Sequence, residues 1–108
     1  MGFDLKKLDR IIAERANSDP QESYSAKLLK KGVSQCAKKF GEEAFEIAIS
    51  AVENDKTGVI NEASDVLYHL LLLLRASDVE LQDVMDELQK RTTRSGIEEK
   101  LSRQKSSF

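Results

Sequence analysis

Glu43 and Glu46 stand three residues apart, and after fifteen intervening residues Glu62 and Asp65 repeat the spacing. Residues three or four apart on an α-helix share a face, so each pair would present two carboxylates side by side. Glu42 adjoins the first pair. Crowded carboxylates repel one another and resist burial. A divalent cation relieves both penalties. Mg²⁺ in particular takes oxygen ligands and bridges carboxylates to phosphates. The chemistry implied is metal-assisted work on a polyphosphate. With 19 Asp and Glu among 108 residues, such spacings also arise by chance. One pair alone is more often a solvated helix face. Two pairs beside apolar stripes carry more weight. Glu43 is three residues after Phe40 and four before Ile47, while Glu62 and Asp65 share a side with Val66, His69 and Leu72.

The apolar pattern says which elements must carry these acids. Leu5, Leu8, Ile11 and Ile12 predict a short amphipathic helix to about Arg15. Asn17-Ser18-Asp19-Pro20 breaks it, and Ser23 is placed to cap the next helix. Gly32 ends or kinks that segment. A long helix follows from Val33, with Ala37, Phe40, Ala44, Ile47 and Ala51 on one stripe. Asn54 to Gly58 reads as the connection. The second long helix has Ile60, Ala63, Leu67, Leu70, Leu71 and Leu74 as its core stripe. Ser77-Asp78 closes it and caps a further helix bearing Val79, Leu81, Val84, Met85 and Leu88. Ser95-Gly96 reads as a turn before a last helical turn over 97–101. No alternating strand pattern occurs. The expected class is all-α: an antiparallel helical bundle of about four to five helices. The reading is a single domain over 1–108 with a polar basic tail from about 92. So small a domain hides its apolar faces poorly, so the bundle is expected to be completed by dimerisation with a second copy.

Composition removes several function classes. The net charge is −2, so the basic footprint of a nucleic-acid binder is missing and no nucleic-acid partner is expected. The longest apolar run, Leu70–Leu74, is too short to span a bilayer, so no membrane partner is expected. The N-terminus lacks a secretory signal pattern, and the single cysteine, Cys36, allows no internal disulfide. A cytoplasmic protein is expected. Cys36, among Val33, Ala37 and Phe40, reads as a small core residue rather than a thiol nucleophile. One cysteine and one histidine are too few for a zinc site of the usual kind.

The acid spacing resembles the signature of the all-α nucleoside-triphosphate pyrophosphatase (MazG-like) superfamily. Wider segments narrow the resemblance to the phosphoribosyl-ATP pyrophosphohydrolase family, over nearly the whole chain from about Leu8 to Arg103. Ser23-Tyr24-Ser25 with Leu28-Leu29 and Gly32 is similar to that family's S-Y-T-x-x-L-L-x-x-G segment. Lys38-Lys39-Phe40-Gly41-Glu42-Glu43-Ala44-Phe45-Glu46 is similar to K-K-x-G-E-E-A-x-E. Glu62 to Leu70 is similar to E-A-A-D-L-L-Y-H-L, and Arg94 to Lys100 to the C-terminal S-G-x-x-E-K block. Ser25 stands where Thr is usual and Ser64 where Ala is usual, and Phe45 where a smaller or polar residue is common. No candidate ligand is lost.

The resemblance implies a Mg²⁺-dependent hydrolase that converts phosphoribosyl-ATP to phosphoribosyl-AMP and pyrophosphate, the second step of histidine biosynthesis. It implies Glu43, Glu46, Glu62 and Asp65 as metal ligands and catalytic groups, with Glu42 a fifth ligand or an orienting acid. Lys38, Lys39 and more weakly Lys30 are placed to meet phosphates. Ser23, Tyr24, Tyr68, Arg94 and Ser95 complete the candidate substrate-binding set. Tyr24 and Tyr68 are suited either to stacking on a base or to packing. His69, four residues after Asp65, is placed to hydrogen-bond to it, in a supporting or simply structural role. Two rivals remain: a house-cleaning (d)NTP pyrophosphatase of the same superfamily, and a non-enzymatic helical interaction domain.

Overall fold

The computed structural model describes residues 2–93 together with Gly96, Lys100, Leu101 and Arg103. Among them are five helices and no strand: α1 (Leu5–Ala16), α2 (Tyr24–Lys31), α3 (Val33–Val52), α4 (Lys56–Ala76) and α5 (Leu81–Thr92). The expected all-α class and helix number hold. Gly96 is itself helical, so it does not form the expected turn.

Side-chain caps start three of the helices. The Asp4 carboxylate accepts from the Lys7 N–H at 2.8 Å, the Ser23 hydroxyl from Ala26 at 3.2 Å and Asp55 from Gly58 at 2.9 Å. Each bond satisfies an N–H that has no partner inside its helix. The Ser23 hydroxyl also donates to the Arg15 carbonyl, tying the end of α1 to the start of α2. Gly32 alone separates α2 from α3. Its φ of +96° is open to glycine and strained for other residues, so the chain can change direction in one step.

Two connections differ from expectation. Lys56, Thr57 and Gly58 already belong to α4, because Asp55 caps the helix one turn earlier than the glycine suggests. A Cβ on Gly58 would collide with the Asp55 carboxylate and the Ser50 hydroxyl, so this glycine permits a close approach rather than a turn. Asp78 does not cap α5. It takes the left-handed φ of 58° after the α4 cap residue Ser77, and Val79 N–H bonds back to the Leu74 carbonyl at 2.9 Å. That is a helix-terminating device. Glu80 precedes α5 without a side-chain cap bond.

Only three residues, Glu53–Asp55, link α3 to α4, and these two helices share the most extensive contact in the fold. They therefore form an antiparallel hairpin. α1 and α2 pack at the end of the hairpin holding the C-terminal half of α4. The core lies there: Ile12, Leu28, Cys36, Leu71, Leu72 and Leu81 are buried, with Leu8, Leu29, Tyr68, Leu74 and Met85 packed around them. Cys36 is wholly buried, 3.7 Å from the Leu28 carbonyl oxygen, as expected of a core residue. Burial pushes its thiol pKa up.

The expected stripes on α3 and α4 are covered only in part. Val33, Ala37, Ala51, Ile60 and Leu67 are exposed. In a single chain the half of the hairpin nearest Asn54 has few neighbours beyond itself, so Ile47, Val59 and Ala63 there are only half-buried while Ala51 and Ile60 stay exposed. Phe45 (68% exposed), Ile49 and Val52 follow one another at four- and three-residue steps, so they form an open apolar face on α3.

Candidate active site

The hairpin register brings the acids together. Glu43 lies eleven residues before Asn54 and Asp65 eleven after; Glu46 and Glu62 each lie eight away. Folding the chain back near Asn54 sets these residues at matching heights on α3 and α4. One carboxylate oxygen from each of Glu43, Glu62 and Asp65 lies within 4.8 Å of the others, a spacing one cation can bridge. Glu46 reaches the same group through Glu62, whose carboxyl it neighbours.

Glu62 is the most perturbed acid. Burial, then the adjoining Glu43 and Glu46 carboxylates, pushes its pKa up to about 7. Its Oε2 is shut off from solvent and has no hydrogen-bond partner among the described residues. An orphaned carboxylate oxygen facing other carboxylates calls for a proton or a cation. An all-oxygen donor set of this kind fits Mg²⁺.

Cationic and aromatic side chains edge the cluster. Lys39 Nζ lies 3.7 Å from Glu42 and 3.9 Å from Glu43, so its charge already sits beside the acids. Tyr24 on α2 stands across from His69 on α4, its hydroxyl 2.8 Å from Nε2, and His69 Nδ1 lies 2.8 Å from the Asp65 carbonyl oxygen. The Ser25 hydroxyl bonds to that of Tyr68. Burial raises the Tyr24 pKa; Lys39 opposes the shift and Glu43 reinforces it, so Tyr24 senses the acid cluster.

The family model for phosphoribosyl-ATP pyrophosphohydrolase matches residues 5–92. A relative from Methylobacterium radiotolerans named phosphoribosyl-ATP pyrophosphatase is 56% identical over 101 residues, covering 94% of each chain. One of the same name from Paracoccus denitrificans is 56% identical over 99 residues and 92% of each chain. Another from Methylobacterium nodulans is 52% identical over 103 residues, covering 95% of this chain and 96% of its own. The chain belongs to the phosphoribosyl-ATP pyrophosphohydrolase family.

In this family member the candidate residues divide by location. Glu43, Glu62 and Asp65 converge, with Glu46 alongside. Glu42 lies outside the three-acid group, more exposed than Glu43 and paired to Lys39. Lys38 and Lys30 are exposed on α3 and α2. The Ser23 hydroxyl is engaged in capping α2 and holding α1. Arg94 and Ser95 lie outside the described residues. His69 does bond to Asp65, but through the main-chain carbonyl rather than the carboxylate. Sequence reasoning passed over Ser25, which is 1% exposed and bonded to Tyr68. Its signal was the hydroxyl kept where the family segment carries Thr.

Proposed function

We propose that the chain hydrolyses phosphoribosyl-ATP to phosphoribosyl-AMP and pyrophosphate, the second step of histidine biosynthesis, with Mg²⁺ as cofactor. The observation that carries the metal reading is the buried, partnerless Glu62 oxygen among three further acids, in a chain of this family. Glu43, Glu46, Glu62 and Asp65 would hold the ion. When bound, it supplies charge neutralisation on the phosphates and orientation of the attacking water. A carboxylate of the cluster takes the proton of that water as its oxygen bonds to phosphorus. The anhydride P–O bond breaks, and its electron pair leaves with pyrophosphate. Lys39, held 3.9 Å from Glu43, would contact a phosphate oxygen of substrate bound at the acids, and Lys38 shares the same helix turn.

The same reading includes a second copy of the chain over the open α3 face of Phe45, Ile49 and Val52, and action in the cytoplasm. Among the described residues no helix is long and apolar enough to cross a membrane. The deciding experiment compares pyrophosphate release from phosphoribosyl-ATP and from free dNTPs at matched Mg²⁺. Strong preference for phosphoribosyl-ATP is the expected result. Preference for dUTP or another dNTP would favour the house-cleaning reading. No release, together with no Mg²⁺ binding, would leave an interaction domain.

A further inference from the structure

α2 has eight residues, too few to hold a helix without tertiary contacts. Ala26, Leu28 and Leu29 pack it on the core, and beside them its contact with α4 is polar. Adjacent residues Tyr24 and Ser25 meet adjacent residues Tyr68 and His69, giving two cross-helix hydrogen bonds side by side. The imidazole is 6% exposed and lies edge-on to both tyrosine rings, with centroids 5.7 Å away in each case.

The chemistry of the partners fixes the direction of the chain. The Asp65 carbonyl only accepts, so His69 Nδ1 carries a proton. In the neutral ring Nε2 is then a bare lone pair, and the Tyr24 hydroxyl donates to it. With Tyr24 half exposed the clasp is part-buried; such a polar junction is a costlier way to join two helices than leucine packing, and it is strong only when every member is satisfied. This one stands about one helical turn beyond Asp65. Lys27, Lys30 and Lys31 ride on the helix that it docks.

We infer that His69 is a positioning residue: it clasps Tyr24, and through it α2 with its lysines, against the edge of the acid cluster where the substrate's phosphates bind. The inference rests on the function proposed above. The Tyr24 hydroxyl then serves His69 rather than the substrate.

The test uses the full chain with phosphoribosyl-ATP and Mg²⁺. Tyr24→Phe removes one hydroxyl and leaves the ring packing. Losing one hydrogen bond's worth of docking should raise KM about three- to tenfold while kcat stays within about twofold. His69→Phe should do at least as much, and adding Tyr24→Phe to it should do no further harm, because the two groups act as one unit. Nitrogen NMR of the wild type should show the proton of the neutral imidazole on Nδ1. A proton on Nε2 would overturn the clasp as drawn. So would an unchanged KM in Tyr24→Phe with a lowered Tm, the mark of a purely structural bond, or a fall in kcat alone, the mark of a part in the chemistry. Should His69→Phe fail to fold, Tyr24→Phe and the NMR spectrum still decide. Wild-type turnover, and its loss in Glu62→Gln, report separately on the proposed function.

Discussion

Between about pH 8 and about pH 6, Mg²⁺ affinity should fall about tenfold, and Glu62 is the reason. Burial and the neighbouring Glu43 and Glu46 push its pKa from an ordinary 4.5 up to about 7. Only the carboxylate binds the ion, so the proton must leave first. One pH unit below that pKa about ten molecules in eleven hold the proton; one unit above, about one in eleven does. The ratio of the two unprotonated fractions is the tenfold loss. Calorimetric titration with Mg²⁺ at both pH values, in buffers of different ionisation enthalpy, measures affinity and proton release together. Release should approach one proton at the lower pH and nearly vanish at the higher. Glu62→Gln should bind weakly and without this dependence. Equal affinity and no proton release at both pH values in the wild type would refute the reasoning. Stability carries the same sign. Without metal, the folded chain binds this proton more tightly than the unfolded chain. The contribution of Glu62 is therefore fully present below about pH 4.5 and lost as pH rises through about 7. Thermal midpoints of the metal-free protein should fall across that window, and Mg²⁺ should restore them on the alkaline side.

Three further outcomes are expected. Glu46→Gln and Asp65→Asn should each lower turnover by about 100-fold or more with the helical circular dichroism intact, because a ligand is lost rather than packing; near-parental rates in either would contradict the metal assignment. Ile12→Ala removes a wholly buried core side chain and should cost about 2–5 kcal/mol in urea denaturation. Phe45→Asp should convert a wild-type dimer to monomers in sedimentation at micromolar concentration, because it puts a charge in the open α3 face; a wild type already monomeric there would overturn the second-copy proposal.

Much of the fold is local and was legible from local rules. Ser23 caps α2 as its type and place suggest, Gly32 separates two helices, and Cys36 goes into the core. Local rules fail at helix boundaries where two local devices compete. Asp55 starts α4 before Gly58 can act as a turn, and Asp78 ends one helix instead of starting another. Sequence spacing also put Glu43 with Glu46 and Glu62 with Asp65, because neighbours at three residues share a helix face whatever the rest of the chain does.

Facts that join distant segments needed the tertiary structure. Tyr24 and His69 are 45 residues apart, and Ser25 and Tyr68 are 43 apart, so each pairing exists only once α2 has docked on α4. Periodicity marks which side of a helix is apolar but not how much of it finds a neighbour, which is why Ile60 and Leu67 stay exposed while Leu72 is wholly buried. The sequence by itself determined an all-α class of about four to five helices, the Ser23 cap, the two carboxylate pairs and the family resemblance. Which acids converge, that Glu62 is left with an orphaned oxygen, and which hydroxyls are already engaged were decided by the hairpin register and by α2 docking. Local geometry follows from a few adjacent residues, whereas convergence depends on packing between helices that no short window of sequence contains.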